Sequence, residues 1–117
     1  MISVCIPVYN YDIRPLAVQL SEEAGKAAFE PEIIFLDDGS DIHYRTLNSQ
    51  VSAIPKVRYL ELEVNRGRSA VRNILGREAN HPWLLFLDCD SGLPSGGFLR
   101  RYLDAAKEAD EIGRAHV

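Results

Sequence analysis

Long apolar runs are missing from this sequence. Its most apolar stretches, such as WLLFL at 83–87, are only of strand length, far short of the roughly 18 consecutive apolar residues that a membrane span needs. A basic leader is missing too: MISVCIPVY passes directly into a strand pattern, so a secretory signal is not expected. Cysteine is scarce, with only Cys5 and Cys89. Each sits in or beside an apolar run and they form no C-x-x-C pair, so both read as small buried residues of a reducing compartment, and a cytoplasmic setting is the expectation. Positive charge is in deficit, 13 Lys and Arg against 17 Asp and Glu for a net charge of −4. The broad basic field that non-specific nucleic-acid binding relies on is therefore absent, and no nucleic-acid partner is expected. The first strand lacks G-x-G-x-x-G and no Walker-type loop occurs, which counts against nicotinamide dinucleotides and ATPases. His43, His81 and His116 share no metal or nucleophile spacing and read as surface residues.

What is present, over 117 residues, is one domain in which apolar runs alternate with helix-period segments four times, the pattern of a parallel sheet covered by helices. Strands are predicted at Ile2 to Val8, Ile33 to Leu36, Val57 to Leu62 and Trp83 to Leu87. The third alternates in the manner of a sheet edge, and the fourth is the most apolar. A helix follows each. The first has Ile13, Leu16, Ala17, Leu20, Ala24, Ala27 and Ala28 on one face, Pro15 in its first turn and an end near Pro31. A weaker one groups Leu47, Val51 and Ile54. The third runs through Ala70, Val71, Ile74 and Leu75 after a loop containing Gly67. The last buries Phe98, Leu99, Tyr102, Leu103, Ala106 and Ala109. Right-handed crossovers suggest a mostly parallel sheet of order 3-2-1-4, helices on both faces, and a switch point between the first and fourth strands. Ligands bind outside the carboxyl ends of strands at such a point, and the polar residues gather there.

Asp88 and Asp90 end the fourth strand, and hard oxygen ligands of this kind suit Mg²⁺ or Mn²⁺ shared with a phosphate; the plainer reading is that they initiate a turn at Ser91 and Gly92. Asp37 and Asp38 end the second strand, where a carboxylate can accept hydrogen bonds from a ribose or a base or simply cap the turn at Gly39 and Ser40. One of the pair is expected to be structural and the other to face a ligand. Arg66 and Arg68 stand at a helix start, where the macrodipole disfavours cations, so an anion nearby would remove the conflict. Arg68 and Arg72 lie four apart on one face and suit bidentate phosphate contacts. Arg72, set among Ala70, Val71, Ile74 and Leu75, is expected to be partly buried, whereas Arg66 and Arg77 read as a solvated face.

In order, CIPVYNYD, IIFLDDGSD, NRGRSAVRN and LLFLDCDS resemble the family 2 glycosyltransferases, inverting enzymes of the GT-A fold that use nucleotide-diphosphate sugars. The likeness covers about residues 1 to 110, and the wording is similar to bacterial members from the Bacteroidetes group. The resemblance implies a Rossmann-like GT-A half-domain. It implies that Pro7, Val8, Tyr9, Asn10, Asp37 and Asp38 hold the base and ribose, with Arg72, Asn73 and Asp88 also on the nucleotide sugar, where Arg68, suited to phosphate by its spacing from Arg72, is expected to join them. Asp88 and Asp90 become the Asp-x-Asp pair on Mn²⁺ or Mg²⁺, Asp90 the direct ligand. The implied partners are a nucleotide-diphosphate sugar, UDP-linked by preference, and a glycan or lipid-linked acceptor. Membrane association of the full-length protein, at the cytoplasmic face, is compatible with the resemblance.

A catalytic base in such enzymes lies well beyond the Asp-x-Asp pair. Only 27 residues follow Asp90, and Asp104, Glu108, Asp110 and Glu111 belong to the last helix or its end, so no catalytic residue is assigned here. The chain reads as a truncated donor-binding half, inactive alone. The tail EIGRAHV, 111–117, breaks the helix pattern and back-translates to a sequence resembling a common sequencing adapter, so it reads as non-native. Two other readings stand beside this one. LLFLDCDSGL also resembles the Asp-x-Asp signature of haloacid-dehalogenase-like phosphatases, with Asp88 as nucleophile, although that signature normally follows the first strand. A receiver-like phospho-acceptor domain would use Asp37 and Asp38 as its metal pair and Asp88 as acceptor, but needs a later lysine on a fifth strand.

Overall fold

A strand covered on both faces shows a continuous apolar run rather than an alternating one. ISVCIPV has that run and forms β1, Ile2–Val8, in which every residue but Pro7 is buried. The computed structural model describes residues 2–27, 30–90 and 97–115, with side chains to residue 109; Ala28, Ser91, Gly92 and His116 of the sequence reading lie outside the described residues. β2, Glu32–Asp38, is sealed from Ile33 onward. It outruns the predicted Ile33–Leu36 because Asp37 and Asp38 continue the parallel ladder opposite Glu61 and Leu62 of β3, Val57–Leu62. β4, Trp83–Phe86, pairs with the other side of β1. The order is β3-β2-β1-β4, every pair parallel, as the crossover argument predicts.

The helices are α1, Arg14–Lys26; α2, Ile42–Asn48, continued by a 3₁₀ turn at Ser49–Ala53; α3, Arg68–Glu78; and α4, Phe98–Ala115. They cover both sheet faces. On one, Val4, Ile6, Val8, Ile33 and Phe35 pack with Leu16, Ala17 and Leu20 of α1, Val51 of the 3₁₀ turn, and Leu99 and Leu103 of α4. On the other, Cys5, Ile34 and Leu36 pack with Val71 and Leu75 of α3. Glu23 of α1, itself buried, accepts a hydrogen bond from the Leu99 N–H at 2.9 Å. This satisfies one of the orphan donors of the first turn of α4 with a carboxylate, the charge favoured there.

β4 is the most apolar run yet the least covered, with Trp83 55% and Leu84 36% exposed, because it is an outer strand of the sheet. Two expectations change. In α4 the buried stripe is Leu99 and Leu103, with Ala106 beside them; Tyr102 and Ala109, predicted on that face, are exposed. Residues 111–115 of the tail stay helical: α4 continues through Ala115, since each added residue of a formed helix gains a backbone hydrogen bond without a new nucleus.

Candidate functional site

β1, β2 and β4 run parallel, so their carboxyl ends open on the same side, and a cavity of about 370 Å³ lies there. Of the predicted residues, Pro7, Val8, Tyr9, Asp38, Arg68, Arg72, Asp88 and Asp90 line it. Asn10, Asp37 and Asn73 do not.

That these three lie outside the lining has physical causes. Asn10 takes a left-handed backbone, φ 49, which asparagine tolerates. Its N–H donates to Ser40 Oγ at 2.8 Å, and its Oδ1 accepts from the Asp41 N–H at 2.9 Å. Its polar groups therefore fasten the β1–α1 loop to the turn after β2. Asp37 is fully buried, and its Oδ1 accepts from the Ser40 N–H at 2.7 Å, so it builds that turn. Asn73 is exposed on α3 away from the cavity.

Asp38 has both roles at once. Its Oδ1 accepts from the Arg66 N–H at 2.7 Å, and its Oδ2 from the Gly67 N–H at 3.0 Å and Asn65 Nδ2 at 3.1 Å. It is therefore the anion that the arginine-rich start of α3 calls for, and it also borders the cavity. A carboxylate offers about four lone-pair sites, so one on Oδ1 remains for a ligand donor.

At the other side of the cavity Arg72 is exposed rather than partly buried. Its guanidinium lies over the Phe86 ring, 4.4 Å from the centroid, a cation–π contact that seats the side chain against another lining residue of the cavity. Asp88 and Asp90 are exposed. Among the described residues Arg68, Arg72, Asp88 and Asp90 form no ion pair, although all border one cavity. Cys89, between the aspartates, has its thiol pushed up to about 11 by burial and by the negative charge of Asp90.

The sequence reading missed Tyr11, Asn65, Gly67 and Phe86 in the lining. Tyr11 could have been suspected as an aromatic just beyond a strand's carboxyl end. Phe86 gave no signal, because its ring serves core and cavity together.

The sequence profile of the family described as Glycosyl transferase family 2 matches residues 3–113. The chain belongs to that family. Among solved structures, the 1–349 portion of S. aureus TarS in complex with UDP superposes with a TM-score of 0.65 at 24% identity, over 94% of this chain and 32% of that one. Mannosyltransferase PcManGT from Pyrobaculum calidifontis, in complex with GDP-Man and Mn²⁺, gives 0.68 at 19% identity over 91% of this chain and 31% of that one. S. aureus TarS itself gives 0.57 at 26% identity over 76% of this chain. This glycosyltransferase family 2 chain thus spans between 16% and 32% of the length of these neighbours. Comparison with curated proteins by sequence gives no match.

Proposed function

We propose that the chain is the donor-binding part of an inverting glycosyltransferase that moves a sugar from a nucleotide diphosphate, UDP by preference, to an acceptor hydroxyl. The observation that carries this reading is the division of one cavity into two chemistries. Tyr9 and Asp38 border it at β1 and β2, where an aromatic face and a free carboxylate lone pair suit a base and ribose. Arg68, Arg72, Asp88 and Asp90 border it at α3 and β4, unpaired with one another, where a diphosphate and its cation would satisfy both signs of charge. The UDP and the GDP-Man with Mn²⁺ bound by the two neighbours are ligands of this class.

Among the described residues no three His, Cys, Asp or Glu side chains cluster into a cage. Two exposed carboxylates fit Mg²⁺ or Mn²⁺ nonetheless, because such ions are commonly held by one or two carboxylates with the phosphates completing the shell. Asp90, assisted by Asp88, would hold the ion. When bound, the ion neutralises charge on the departing diphosphate. Arg72, laid over Phe86, directs its N–H groups to the phosphate oxygens, and Asp38 accepts one donor of the base or ribose while keeping the 65–67 segment in place. Asp104 and Glu108 do not line the cavity, and no acceptor base is assigned here; on this reading the chain binds donor with little or no transfer.

Calorimetric titration of UDP in Mn²⁺ and again in EDTA tests the reading. Binding that requires the metal and is lost in Asp90→Asn is the expected outcome. Unchanged affinity in Asp90→Asn removes the metal role, and turnover of a generic phosphomonoester that is lost in Asp88→Asn would replace this function with the phosphatase one.

A further inference from the structure

Tyr11 borders the cavity yet lies beyond the end of β1, in a stretch, Tyr11–Ile13, that has no strand or helix of its own. It is 38% exposed, and its ring belongs to neither core cluster. What holds it is its backbone. The Tyr11 carbonyl accepts from Asn48 Nδ2 at 2.7 Å, and the Ile13 N–H donates to Asn48 Oδ1 at 3.0 Å. Asn48 is fully buried at the last residue of α2, a place where an apolar side chain would serve packing without desolvating an amide. Both halves of its amide are spent on this one stretch. Asn10 is fastened separately, through Ser40 and Asp41, so the grip of Asn48 falls on the stretch that begins at Tyr11 and ends at Ile13.

We propose that Tyr11 is a second aromatic wall for the base of the nucleotide, beside Tyr9, and that Asn48 is the positioning residue that fixes it. The inference rests on the nucleotide reading above and extends it: the base end is built for a planar ring between pre-set aromatic side chains and the Asp38 carboxylate. An aromatic already held in place spares the ordering cost that a loose loop would incur on binding, and base–aromatic stacking tolerates any base that fits. Selectivity among bases then falls to Asp38.

The test is a double-mutant cycle with two probes, UDP and inorganic pyrophosphate, each titrated in Mn²⁺ into the full chain. Tyr11→Ala removes an exposed side chain and keeps the fold. It is expected to weaken UDP about tenfold and to leave pyrophosphate unchanged. Asn48→Ala is expected to do the same. The double variant is expected to be no weaker for UDP than either single one, because Asn48 acts through Tyr11. Equal weakening of UDP and pyrophosphate in a folded Asn48→Ala chain marks a merely structural residue and overturns the proposal, as do additive losses or unchanged UDP affinity in Tyr11→Ala. If the unmutated chain binds pyrophosphate in Mn²⁺ but gains nothing from the nucleoside, the wall for the base is refuted while the metal–diphosphate half survives. If it binds neither, the nucleotide reading falls and this inference with it.

Discussion

Gly39 stands at φ +73, and a Cβ there would lie 2.4 Å from the Asn65 backbone nitrogen and 2.5 Å from the Val64 carbonyl carbon. Two difficulties coincide, since an L side chain resists the left-handed region and the atoms it would strike belong to backbone that cannot swing aside. The close approach also serves the site: it lets the neighbouring Asp38 reach the N–H groups of Arg66 and Gly67. Gly39→Ala is expected to cost at least about 2 kcal/mol of unfolding free energy and to weaken UDP binding by disturbing Asp38. Urea denaturation followed by circular dichroism measures the first effect, and an unshifted midpoint would contradict the close approach.

At the scale of elements, the amino ends of the strands are tied by Glu32, the first residue of β2. Its Oε1 accepts from Ser3 Oγ of β1 at 2.8 Å and from the Asn80 N–H at 3.0 Å; its Oε2 accepts from Asn80 Nδ2 at 2.7 Å and from the Arg58 guanidinium of β3 at 3.3 Å. One carboxylate thus joins three strands and the α3–β4 connection, at the opposite end of the sheet from the cavity. Burial pushes its pKa up, but hydrogen bonds from Asn80, Ser3 and Arg58 outweigh burial and hold it below the ordinary carboxylate value. A depressed folded-state pKa contributes stability that is whole above the unfolded value of about 4.3 and is lost as pH falls through the lower folded value. Glu32→Gln is therefore expected to lower the Tm near neutral pH, with the gap to the unmutated chain closing below about pH 4. A gap that stays constant with pH would show that the network does not depend on the charge.

For the whole molecule, the weak place is the β4 side. Trp83 and Leu84 stand exposed on an outer strand whose far side pairs with no described strand, and free strand edges bearing apolar side chains recruit other chains. Concentration-dependent association is expected in sedimentation velocity, and Leu84→Lys is expected to reduce it while leaving UDP binding intact, since Leu84 does not line the cavity. Association that is unchanged in Leu84→Lys would move the contact elsewhere.

Periodicity and spacing settled the alternation of strands and helices and the order β3-β2-β1-β4, because continuous apolar runs specify buried parallel strands and right-handed crossovers leave few ways to wind them. The acidic strand ends at Asp38, Asp88 and Asp90 were legible for the same reason: a parallel sheet delivers every carboxyl end to one side. What only the tertiary structure decided was which polar groups are already used. Asn10 and Asp37 are engaged by Ser40 and Asp41 in the turn after β2, Asp38 spends both oxygens on residues 65–67 while bordering the cavity, and Asn48 reaches a loop 35 residues away. Such partnerships depend on distances across the fold, and no local pattern in the chain encodes them.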